Sequence, residues 1–127
     1  FEEGAEVIRL VGRDNLRLCF DTFHVQMEEG ALTERLTQYF GIIGHMQIGN
    51  TPGRNEPGAG ELHFPYIFAE IESLGWKGWI GCEFTPSGHT LDCLDWGLPY
   101  GIRPPVGYVR GSSGKVPSAA ERQKKWT

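Results

Sequence analysis

Trp79-Ile80-Gly81-Cys82-Glu83-Phe84 decides how the chain folds. Its apolar residues are dense and partly β-branched or aromatic, which predicts a short buried strand. The strand ends on a carboxylate, and a turn-forming stretch, Thr85-Pro86-Ser87-Gly88, follows at once. An acid placed there by a strand is a candidate for proton transfer or cation binding, and we read Glu83 as a metal-binding catalytic acid or base. A strand-end acid can equally be an exposed loop residue.

Upstream, the same pattern occurs twice more. Leu16 to Asp21 (LRLCFD) and Gly44 to Ile48 (GHMQI) read as strands. Helical periodicity precedes or separates them. Residues 1–12 end at Gly12 with Val7, Ile8 and Val11 on one face. Residues 31–43 carry Leu32, Leu36, Tyr39, Phe40 and Ile43, and Phe64 to Leu74 carries Ile67, Phe68, Ile71 and Leu74, with Pro65 in its first turn and Gly75 after it. Thr90 to Trp96 is expected to form a short last helix. Strands alternating with helices predict parallel pairing with helical crossovers. Asp21 and Gln47 are 26 residues apart, and Gln47 and Glu83 are 36 apart. A barrel of about 250 residues shared among eight units allots about 31 to each. The fold class is therefore α/β: about three βα units from the C-terminal portion of a (β/α)8 TIM barrel.

Alternation along the strands agrees. Cys19 and Asp21 oppose Leu18 and Phe20; His45 and Gln47 oppose Met46 and Ile48; Gly81 and Glu83 oppose Ile80, Cys82 and Phe84. One face of each strand is apolar and suits a layer of helices. The other is small or polar and suits a barrel interior near its mouth, whereas a flat doubly wound sheet needs apolar residues on both faces.

Asp21, Gln47 and Glu83 would then meet at the carboxyl ends of three successive strands. Such an all-oxygen set suits a hard divalent cation, Mg²⁺ or Mn²⁺. His24 is expected on the loop after Asp21. Arg54 lies in a Pro/Gly loop at the same end and could clamp a substrate carboxylate. Each has a plainer reading: Asp21 as a cap, Gln47 and His45 as satisfied interior groups, and Arg54 as the partner of Glu56. His63 and His89 read as surface residues, and Trp76 and Trp79 as packing.

Charge divides the chain. Residues 97–127 hold six Lys/Arg against one acid, and residues 1–96 hold six against fifteen, a balance of −9. An acidic body is a poor nucleic-acid surface. No apolar run reaches the ~20 residues of a bilayer span, and residues 1–12 do not resemble a signal peptide. Three cysteines without a CxxC pair point away from a zinc cluster and toward a reducing, cytoplasmic setting, with Cys19 and Cys82 as small apolar strand residues. A first residue of Phe predicts a start inside a larger protein. Domain limits of 1–96, a partial barrel, and 97–127, an irregular and disordered basic tail rich in Gly and Pro, follow from composition. Open sheet edges would invite association, with a homo-oligomer as one outcome.

Four blocks carry a resemblance: Asp21-Thr-Phe-His24, His45-Met-Gln47-Ile, Pro52-Gly-Arg54-Asn-Glu56-Pro57 through Gly60-Glu61-Leu, and Gly75-Trp-Lys-Gly-Trp-Ile-Gly-Cys-Glu83-Phe. Over residues 1–96 the chain resembles the C-terminal half of the hydroxypyruvate isomerases, within the xylose-isomerase-like TIM barrels. Related keto-sugar epimerases usually carry His where Gln47 stands. The resemblance implies that a small-molecule keto acid, hydroxypyruvate, is converted to tartronate semialdehyde through an enediolate. It implies two glutamates sharing the proton: Glu83, and one on an earlier strand before Phe1. It implies Asp21, Gln47 and Glu83 as metal ligands, with that earlier glutamate as the fourth, and His24, Arg54 and Glu56 as substrate contacts. Alternatives are a related keto-sugar or keto-acid isomerase or epimerase, and a truncated, non-catalytic form. A barrel endonuclease of the same superfamily would show His-rich zinc ligands and basic loops. A three-strand chain alone is expected to be inactive.

Overall fold

The computed structural model describes residues 1–58 and 60–111. The chain separates into two compact units, Phe1–Phe84 and Thr85–Thr127.

The first unit contains a three-stranded parallel sheet of order β1-β2-β3, formed by Leu18–Asp21, Ile43–Ile48 and Ile80–Cys82. Helix α1 (Glu2–Val11) precedes β1 and ends on Gly12, whose φ of 60° is the left-handed conformation that glycine adopts without Cβ strain. Its residues Val7 and Val11 are about half exposed, so the apolar face read from sequence is not buried among the described residues. Between β1 and β2 lie two helices, α2 (Thr22–Glu28) and α3 (Leu32–Tyr39), and a 3-10 turn, Phe40–Ile42. The periodic stretch 31–43 thus breaks at Phe40, and Ile43 already belongs to β2. Helix α4 (Phe64–Ser73) joins β2 to β3. Past Ser73 the Gly75 and Trp76 amides donate to the carbonyls of Glu72 and Ile71.

The core lies on the helix-facing side of the sheet. Phe20, Met46 and Ile48 from the strands, Val25, Leu32 and Leu36 from α2 and α3, and Phe64, Ile67 and Ile71 from α4 are all buried. This is the apolar face predicted by alternation. The third strand departs from the expectation: Cys82 and Trp79 are exposed. Cys19 is exposed as well, on the opposite, polar face of β1.

In the second unit a 3-10 helix runs from Asp92 to Tyr100. The boundary read at 96/97 from proline and glycine content therefore falls inside a helix. Cys93 is buried there and its sulfur accepts from the Gly88 amide at 3.1 Å. His89, expected at the surface, is half-buried: its Nδ1 lies 2.9 Å from the Tyr108 hydroxyl, which donates to Asp92 Oδ1 at 2.8 Å. The tail read as disordered lies, over residues 112–127, outside the described residues. No helix among the described residues is long and apolar enough to cross a membrane.

Candidate active site

The parallel register places Asp21 opposite Gln47, and Gln47 opposite Gly81. Glu83 lies two residues farther along, beyond the end of β3, with its amide donating to the Ile48 carbonyl at 3.0 Å. The three oxygen-bearing residues therefore share one end and one face of the sheet, with Glu83 one step above the other two.

Asp21 closes β1 and opens α2. Its Oδ1 accepts the Phe23 amide at 2.9 Å, so the cap expected of such an aspartate is present. The residue is only 6% exposed, and its other oxygen takes a guanidinium: Arg54 Nη2 donates to Oδ2 at 2.9 Å. The same nitrogen lies 3.7 Å from Glu83 Oε1, and Arg54 Nε donates to the Glu83 backbone carbonyl at 3.2 Å. The guanidinium also sits over the Phe23 ring, 5.3 Å from its centroid, in cation–π range. Arg54 thus bridges the first and third strand ends.

A built loop delivers this arginine. Asn50 is fully buried and pairs with Asn55 across the turn, its amide donating to the Asn55 carbonyl at 2.8 Å. Its side-chain oxygen accepts the amides of Thr51 at 2.9 Å and Leu62 at 2.8 Å. The Thr51–Pro52 peptide is cis, and Arg54 itself has a φ of 53°. Gly49 keeps the passage open: a Cβ there would meet the Glu83 carbonyl at 2.9 Å and Arg54 Cγ at 3.3 Å. Thr22 ties the ends of β1 and β2 together. Its hydroxyl donates to the Gly49 carbonyl at 2.9 Å and accepts the Gly49 amide at 3.0 Å.

His24 lies within α2, not on a loop, and is half exposed. Its Nε2 is 3.8 Å from Asp21 Oδ2 and its Nδ1 is 3.9 Å from Glu28 Oε1. Gln47 is half-buried, and its Oε1 accepts from the Cys19 thiol at 3.5 Å. His45 lies a layer deeper, beside Gly81. Glu56 is 9% exposed, largely out of reach of a ligand in solvent. Four residues at this end were not singled out from sequence. Cys19 was legible as the residue sharing Asp21's face. Thr22, Phe23 and Asn50 give no local signal, because each acts through a partner distant in sequence.

As placed, these side chains do not form a cation cage. A guanidinium lies between Asp21 and Glu83, Gln47 Oε1 takes a thiol, and among the described residues no three His, Cys, Asp or Glu side chains group closely enough to hold a metal.

The same charges act on Cys19. Solvent reaches the residue, yet its packed surroundings, and then the negative charges of Asp21 and Glu83, push the thiol above its ordinary pKa. Less of it is thiolate at a given pH, and thiolate is the nucleophile. Asp21→Asn removes one of these charges while keeping a good helix cap. Iodoacetamide labelling of Cys19, followed by peptide mass spectrometry across pH 7–10, is expected to be faster in this variant at every pH below the plateau. Equal or slower labelling would contradict that coupling.

Comparison with known proteins agrees with this architecture. Residues 1–100 match the family described as xylose isomerase-like TIM barrel. The chain is 42% identical over 98 residues to the hydroxypyruvate isomerase of Escherichia coli, covering 77% of this chain and 38% of that protein. It is likewise 42% identical over 98 residues to the 2-oxo-tetronate isomerase of Pectobacterium atrosepticum, covering 77% of this chain and 37% of that protein. Among solved structures, a Brucella melitensis protein described as an AP endonuclease of family 2 superposes with a TM-score of 0.76 at 39% identity. That match covers 78% of this chain and 38% of the other. The chain thus spans a little over a third of the length of these relatives.

Proposed function

The chain belongs to the xylose isomerase-like TIM barrel family, and we propose that it supplies three of the eight βα units of a keto-acid isomerase that converts hydroxypyruvate to tartronate semialdehyde. The observation that carries this reading is the convergence of Glu83, Arg54 and Asp21 at the carboxyl ends of three parallel strands, the end at which barrel enzymes do chemistry.

The reaction removes a proton from C3, beside the ketone, and returns one to C2. The hydroxyl proton moves from the C3 oxygen to the C2 oxygen, so substrate and product are isomers. Glu83 is half exposed at the strand end and acts as one proton carrier, with a second carboxylate on another strand of the closed barrel as the other. Arg54 and His24 are the substrate contacts on this side: both border the Asp21 carboxylate and both remain partly open to solvent. A guanidinium suits the carboxylate that every substrate of this class carries. Glu56, being buried, would act through the loop it belongs to.

The endonuclease description of the Brucella relative raises a second class. The −9 balance of residues 1–96 opposes it, because phosphate backbones are bound by cations. A complete barrel containing these units, given hydroxypyruvate in D₂O, is expected to form tartronate semialdehyde with deuterium at C2, as read by proton NMR. No product from hydroxypyruvate, with turnover of 2-oxo-tetronate, would move the assignment to the longer keto acid. No turnover of either would remove it. The 127-residue chain alone is expected to be inactive, since three strands cannot close an eight-stranded barrel.

A further inference from the structure

We propose that the resident positive charge of this centre is the Arg54 guanidinium, and that Asp21 and Glu83 are its counter-ions, not ligands of a divalent cation. This deepens the isomerase reading and rests on it only for the identity of the site.

Five features support the assignment. Asp21 is nearly out of solvent, and a carboxylate in that position needs a fixed partner. Arg54 Nη2 fills that role at 2.9 Å, while the Phe23 amide satisfies the other oxygen. The guanidinium is held from three further directions, by the Glu83 carbonyl at 3.2 Å, by the Glu83 carboxylate at 3.7 Å and by the Phe23 ring at 5.3 Å. Its backbone is set in the left-handed region by a turn that closes on the buried Asn50. Glycine at position 49 leaves the space through which the arginine passes. The arginine is therefore positioned by the fold and does not merely lie across the surface.

The chemical consequence is specific. A guanidinium remains charged at any pH at which the protein is folded. It offers directional hydrogen bonds to a carboxylate or an enediolate oxygen, and it cannot be removed by a chelator. The ligand class that it fits is a small organic anion with two adjacent oxygens.

The test uses Mn²⁺ as the probe and reads binding without substrate. The complete barrel that contains this chain, with all its strand-end carboxylates in place, is titrated with Mn²⁺, following water-proton relaxation and the broadening of amide NMR signals. The native barrel is expected to show no saturable site below 1 mM and no selective broadening at Asp21 or Gly49. Arg54→Gln, folded by circular dichroism, is expected to bind Mn²⁺ at least tenfold more tightly than the native barrel, and Arg54→Gln combined with Asp21→Asn is expected to lose that gain. One equivalent bound to the native barrel with broadening centred on Asp21 would overturn the proposal. So would a folded Arg54→Gln variant that gains nothing. If Arg54→Gln does not fold, the native titration beside that of Asp21→Asn decides: no difference supports the proposal, and an Asp21-dependent site refutes it. Neither arm involves turnover, so failure of the keto-acid assignment would leave this result standing.

Discussion

Glu83→Gln in the complete barrel is expected to lower kcat/KM for the keto acid by about 10²–10⁴-fold, the usual range for loss of a positioned proton carrier. The geometry makes this a clean substitution. The Glu83 backbone is held on both sides, by its amide on Ile48 and by its carbonyl on Arg54. The side chain projects from that clamp and is half exposed. Glutamine has the same length and leaves both backbone bonds in place, so the circular dichroism spectrum and unfolding midpoint should not change. What is lost is a group able to carry a proton at neutral pH. Deuterium exchange at C3 of hydroxypyruvate separates the half-reactions. If Glu83 removes the C3 proton, exchange falls with turnover; if it serves only the return step to C2, exchange persists. A variant that keeps a near-native rate would take Glu83 out of the proton path.

The second large effect is expected at Asn50. Asn50→Ala leaves the amides of Thr51 and Leu62 without their acceptor, and Asn50 is fully buried. An unpaired buried donor costs about 1–3 kcal/mol, and the Leu62 amide, being only part-buried, belongs at the low end of that range, so the loss should be about 2–4 kcal/mol. Urea unfolding of the variant beside the parent chain measures it. A loss below about 0.5 kcal/mol would mean that water or a shifted backbone replaces the amide oxygen. The same change loosens the turn that orients Arg54. A complete barrel carrying it should therefore show a raised KM for the keto acid, a readout distinct from stability.

Much of this arrangement can be read before any coordinates, and the residues show why. Period-two alternation places Asp21, Gln47 and Glu83 on one face because the pleat gives a side chain no other choice. Counting residues between them cannot show that Glu83 stands one step past the Asp21–Gln47 pair, since crossover lengths absorb a shift of two. Helix α2 escapes notice because it spans only Thr22–Glu28, too short for a periodic pattern, and takes its start from an aspartate that also reads as a site residue. Arg54 can be read as a cation at the barrel mouth. Its engagement with Asp21 cannot, because the loop's shape depends on the Asn50 amide reaching Leu62. The cysteines mislead for a related reason. Burial depends on which face of a strand its neighbours cover, and composition does not say that: Phe20 on the edge strand β1 is buried while Cys19 beside it is exposed.

The reciprocal bond between the Thr22 hydroxyl and Gly49 has a practical corollary. It fixes the separation of two neighbouring strand ends with uncharged groups, and it is buried. Added electrolyte at 0.1 M damps the interaction of exposed charges with a decay length of about 10 Å but has little hold on a neutral, enclosed pair. A response of this centre to ionic strength would therefore report on the half-exposed Glu83 carboxylate beside Arg54, with the buried Asp21 pair and the supporting frame little changed.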